Sequence, residues 1–84
     1  MVQKFSIEMV KPKNLDDAKD IVDSLFDGVP VIVNLEETAE EKTRQIIDYI
    51  RGTSTAAGFK NEQIGQKIFI FTPGNVEVAA VDWN

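Results

Sequence analysis

The six residues Lys67-Ile68-Phe69-Ile70-Phe71-Thr72 restrict the architecture more than any other stretch of the sequence. Successive side chains of a β-strand point to opposite faces, so Ile68 and Ile70 lie on one side and Phe69 and Phe71 on the other. Both faces are apolar. The chain has 84 residues, enough for one small domain with a modest core. Its periodicities supply two helices, and two short helices cover one face of a small sheet. Leaving two phenylalanines and their neighbours in water would forgo roughly 1.5–3 kcal/mol per side chain. An uncovered apolar sheet face is also a candidate interaction patch. The second face is therefore expected to meet another copy of the chain, a partner, or both. The intramolecular alternative is that Val81-Asp82-Trp83-Asn84 folds back, with Trp83 covering part of the patch.

The remaining elements follow from spacing. Residues 4–10 alternate, with Phe5, Ile7 and Met9 on one face, and read as a strand that Pro12 ends. Asn14 is placed to cap a helix from Leu15 to Asp27. Its apolar stripe is Leu15, Ala18, Ile21, Val22, Leu25 and Phe26, and Gly28 with Pro30 stops it. Val31 to Leu35 is a short apolar run rich in β-branched residues, the mark of an interior strand. In it Asn34 is expected to hydrogen-bond a neighbouring loop.

Thr38 and Glu41 have the spacing of a capping box and predict a second helix, with Ile46, Ile47 and Ile50 inward. That helix ends either at Gly52 or, the favoured reading, at Ala57 with Gly58 as its cap. The longer form gives it a surface of small residues, Gly52, Thr53 and Ala56, that another backbone can approach closely. Phe59 to Ile64 is a weak strand, and Gly65-Gln66 suits a two-residue type II′ hairpin turn. Lys67 to Thr72 follows, then a type II turn at Pro73-Gly74 and a last strand from Val76 to Ala80. The expected fold is α+β, a two-layer sandwich of order β-α-β-α-β-β-β, with two helices on one face of a sheet of about five strands.

Most catalytic chemistry lacks its residues. The chain contains no cysteine and no histidine, which removes disulfides, thiolate nucleophiles, Ser-His-Asp triads and most transition-metal sites. No phosphate-binding glycine motif occurs. Asp16, Asp20, Asp23 and Asp27 share one side of the first helix, but without a calcium-type loop they read as a solvated face. Glu36, Glu37, Glu40 and Glu41 lie at an exposed helix start rather than in a cleft that would split two carboxylate pKa values. A net charge of −5 disfavours nucleic acid as a partner. The expectation is a binding module with no catalysis, no cofactor and no metal, in the cytoplasm. The alternative is a dimeric regulatory domain that binds a small molecule between subunits.

The residues assembled above resemble the core domain of the SepF family of cell-division proteins. The likeness runs through Leu15-Asp16-Asp17-Ala18, Pro30-Val31-Ile32-Val33-Asn34-Leu35 and Gln45-Ile46-Ile47-Asp48-Tyr49-Ile50-Arg51-Gly52. It continues in Ile64-Gly65-Gln66-Lys67-Ile68-Phe69-Ile70-Phe71-Thr72-Pro73 and Asn75-Val76. Phe59 stands where the family usually has a second glycine, and Thr53 to Ala56 replace positions that are commonly bulky. The resemblance implies one domain over residues 1–84 that homodimerises and binds the C-terminal peptide of FtsZ, at the division site on the inner face of the membrane.

By the same resemblance the peptide meets Phe69, Gln63, Lys67 and Phe71, while Gly65, Ile68, Ile70 and Phe71 serve dimerisation. Gln63 occupies a position that is often basic in the family, and Lys67 is expected to substitute for it. Gly52, Thr53 and Ala56 are a candidate second surface, through which dimers would polymerise. Family members reach the membrane through an N-terminal amphipathic helix and a linker. The chain as given starts at its first strand, so it is expected to be either an excised core, the favoured reading, or a member lacking the anchor.

Overall fold

A computed structural model describes residues 5–79 and 81. The chain order is β1 (Glu8–Val10), α1 (Leu15–Phe26), β2 (Val31–Asn34), α2 (Glu40–Ala57), β3 (Lys60–Gly65) and β4 (Ile68–Thr72). The four strands form one mixed sheet in the order β1-β2-β4-β3. β1 runs parallel to β2, and β4 is antiparallel to both of its neighbours. The apolar runs 31–35 and 67–72 thus supply the two interior strands, and both helices cover the same face.

Local chemistry sets the helix limits. The Asn14 side-chain oxygen accepts a hydrogen bond from the Asp17 amide at 2.9 Å, and the Asp17 carboxylate accepts one from the Lys13 amide at 2.8 Å. One amide that the first turn leaves unpaired, that of Asp17, is satisfied in this way, and the second bond ties down Lys13 just before the cap. α2 runs to Ala57, and Gly58 closes it in the left-handed region at φ 78°, where a glycine carries no Cβ penalty. The Phe59 amide then donates to the Ser54 carbonyl at 2.8 Å. The core lies between the layers. Ala18, Ile21 and Leu25 of α1 and Ile46, Ile47 and Ile50 of α2 pack on Val31, Val33, Phe69 and Phe71.

Five sequence expectations need correction. The first strand is three residues long rather than seven, and its alternating side chains Phe5, Ile7 and Met9 are turned to solvent. Thr38 caps nothing. α2 starts from Ala39 with no side-chain cap, and the Thr38 hydroxyl instead donates to the Pro12 carbonyl at 2.7 Å, inside the protein. Gly65 does not have the positive φ of a type II′ turn. The turn falls on Gln66-Lys67, after an irregularity between Gln63 and Gly65 that breaks the regular alternation. The next turn is displaced by one residue, with Gly74-Asn75 at its centre and the Val76 amide donating to Pro73.

No strand occurs at residues 76–79. The Thr72 hydroxyl donates to the Val76 carbonyl at 2.9 Å, and Lys60 pairs with Glu77 at 3.2 Å, so this segment folds back beside the start of β3. Ala80 and Trp83 lie outside the described residues. Trp83, as a shield for the second face, is therefore not described.

Candidate peptide-binding and assembly surfaces

Strand β4 divides its side chains between two environments. Phe71 is fully buried and Phe69 retains 7 % of its surface, both beneath the helices. Ile68 and Ile70 are half-buried on the other face, which no helix covers among the described residues. The phenylalanine side is thus the covered one, and among the described residues the isoleucine side is open. Register extends the open side across three strands, because Met9 is opposite Ile32 and Ile32 is opposite Ile70. Directly opposed residues share a face, so the three form one apolar row. Glu62 opposes Ile70 on β3 and closes the row with a charge. Gly65 opposes Ile68, and a Cβ built on it meets the Ile68 Cβ at 3.4 Å, an ordinary contact.

The second surface lies where α2 passes the other edge of the sheet. The Arg51 guanidinium stands over the Phe69 ring, 4.9 Å from its centre, and Phe71 backs Phe69 at 6.4 Å between ring centres. An arginine over an aromatic face is held by the ring quadrupole. Gln63 opposes Phe69 across β3, and its amide donates to the carbonyls of Gly65 and Gln66 at 2.9 and 3.0 Å. Those bonds hold the hairpin and occupy the donor that the sequence offered to a peptide. Lys67 reaches Glu40 at 3.2 Å, at the start of α2. Arg51, Phe69 and Gln63 therefore come together, Lys67 stands at the hairpin end, and Phe71 presents no surface.

Arg51 is absent from the sequence-based site. Its one signal was its place four residues after Ile47, on the flank of the apolar stripe of α2, and the pairing with Phe69 depends on a register that spacing alone does not give. On the outward side of α2, Gly52 and Ala56 are exposed and Thr53 is half-buried. A Cβ at Gly52 meets nothing within 4 Å, so this small-residue surface is open. Among the described residues no group of three or more carboxylates is arranged to hold a metal ion, and no helix is long and apolar enough to cross a membrane.

This arrangement can be set beside known proteins. The family model described as Cell division protein SepF matches residues 7–78. The Cell division protein SepF of Natranaerobius thermophilus is 38 % identical over 81 residues, which are 95 % of this chain and 48 % of that protein. The chain spans about half the length of the curated relatives it matches. A SepF-like protein from Pyrococcus furiosus has the same fold, with a TM-score of 0.77 and 25 % identity over 94 % of this chain and 99 % of that one. One from Archaeoglobus fulgidus superposes with a TM-score of 0.78 at 15 % identity, over 93 % of this chain and 96 % of that one. The match takes in all six elements, the open apolar row and the Arg51–Phe69 edge, and on it this chain belongs to the SepF family of cell division proteins.

Proposed function

We propose that this chain is a binding module of the division apparatus that pairs with a second copy through the open face of its sheet and receives the C-terminal tail of FtsZ. The observation that carries this reading is the apolar row Met9, Ile32 and Ile70, uncovered in a chain of a cell-division family. Pairing would bury Ile68 and Ile70 against their counterparts, next to Gly65 at the hairpin end of the face. The peptide would lie along the α2–β3 edge. There Arg51 offers a cation, Phe69 a ring edge and Lys67 a second cation, with Gln63 holding the hairpin and Phe71 supporting Phe69 from the core.

In this reading the module acts in the cytoplasm at the division site, and an N-terminal amphipathic helix of the family type carries attachment to the membrane. Gly52, Thr53 and Ala56 offer a surface for joining one dimer to the next. No catalytic step is required of it. Calorimetric titration with the C-terminal peptide of FtsZ tests the central point. Saturable heat, reduced by Arg51→Ala, is expected; absence of heat at about 1 mM peptide, where binding of even about −4 kcal/mol is visible, overturns the peptide assignment.

A further inference from the structure

β1 and β3 are the two edges of the sheet, and a groove of about 570 Å³ separates the outer edge of β1 from helix α1. We propose that this groove takes an extended peptide of alternating basic and apolar residues, which adds to β1 as a further strand. The site is at the opposite edge of the sheet from the Arg51–Phe69 pair and stands independently of it.

The backbone supplies the means of attachment. The Glu8 amide donates to Pro30 at 2.9 Å, so Glu8 turns its main-chain groups toward β2. Main-chain groups alternate in direction along a strand, and those of Met9 therefore point to the open edge. Strand addition uses such groups for affinity and the alternating side chains for selectivity.

The side chains then define the occupant. Glu8 and Val10 are in register with Val31 and Val33, on the helix side of the sheet, whereas Met9 is in register with Ile32 on the open side. A strand added outside β1 must divide its own side chains in the same way. On the helix side they meet the carboxylates of Glu8, Asp17 and Asp20 in the groove wall. The same wall holds two lysines, Lys11 and Lys13, and the Lys11 ammonium is already paired with Glu37 at 2.8 Å. The wall is thus net acidic, and complementary side chains at these positions are basic. On the open side the added strand lengthens the row Met9, Ile32 and Ile70 by one place, and, resting here on the pairing of two copies proposed above, only an apolar side chain extends that contact. Basic and apolar residues therefore alternate.

Fluorescence anisotropy of labelled, capped peptides with the native chain tests this proposal. A peptide alternating lysine and valine is expected to bind at least about tenfold more tightly than one of the same composition in two blocks, or one alternating glutamate and valine. Methylating its backbone nitrogens at alternate positions should abolish binding without touching the protein. The double substitution Glu8→Gln and Asp20→Asn, at two exposed side chains, should weaken binding roughly three- to tenfold. On binding, the Met9 amide should become protected from hydrogen exchange. Equal binding of the block or N-methylated peptide would overturn strand addition, as would failure of the alternating lysine peptide to bind. Equal binding of the glutamate peptide would overturn the assignment of charge.

Discussion

Thr38 shows how a single hydroxyl can carry a local signal and serve a distant purpose. Its spacing from Glu41 is that of a cap, yet it bonds Pro12, 26 residues away, and joins the loop after β1 to the loop before α2. A buried hydrogen bond of this kind contributes about 1 kcal/mol, and leaving the Pro12 carbonyl without its donor adds a desolvation cost. Thr38→Val is therefore expected to lower unfolding free energy by about 1–2 kcal/mol in urea titration, with Thr38→Ser recovering most of it. An unchanged urea midpoint for the valine variant would show that the bond has no net value. Gln63 makes the same point in reverse. Its amide is spent on Gly65 and Gln66, a use that required knowing where the hairpin turns. Asn34 was legible because its partner is local: its side-chain oxygen accepts from the Glu36 amide, two residues on.

Among elements, the helices were the most legible because their signals are contained within them. Three- and four-residue spacing placed Ile21, Leu25, Ile46 and Ile50 inward, and Asn14 and Gly58 bound the helices where capping chemistry puts them. Strands depend on neighbours. The alternation of Phe5, Ile7 and Met9 is real, but only register showed that Met9 belongs to the open side. Val76 to Ala79 has strand-like residues and no strand partner, so its backbone bonds elsewhere.

β1 is further tied by the Lys11–Glu37 pair at 2.8 Å, which links the end of that strand to the loop before α2. The hydrogen bond and charge of Lys11 hold the Glu37 carboxyl below the ordinary glutamate range, and Glu37 raises Lys11 above the ordinary lysine range. For the depressed carboxyl, the contribution is present above the ordinary glutamate value and lost as pH falls through the folded one. For the raised ammonium, it is present below the ordinary lysine value and lost as pH rises through the folded one. The tether thus spans the neutral range, and the exposure of both side chains to solvent keeps it weak. Following the Glu37 carboxyl carbon by NMR, Lys11→Ala should move its titration upward; an identical midpoint would mean the pair does not persist in solution.

For the whole molecule, the two faces of β4 predict opposite consequences of substitution. Phe71 is wholly enclosed, and Phe71→Ala should cost roughly 3–5 kcal/mol. That is a large part of the total stability of any domain of this size. Ile70 is half-buried on the uncovered side, in the row with Ile32 and Met9, and a charge there disturbs little within one protomer. If two copies meet on this face, Ile70→Asp places two carboxylates in the centre of an apolar contact, where each loses its water without gaining a partner. Association should then fail while the fold survives. Sedimentation over a range of concentrations is expected to show a dimer for the native chain and a monomer for Ile70→Asp, with little change in circular dichroism. The native melting temperature should also rise with protein concentration, since pairing stabilises only the folded state, and that dependence should vanish in the variant. Gly65→Ala supplies the control: its methyl makes ordinary contact with Ile68, so the alanine chain should fold and pair. A native chain that stays monomeric at every concentration, with a melting temperature indifferent to it, would leave the isoleucine face to a different occupant.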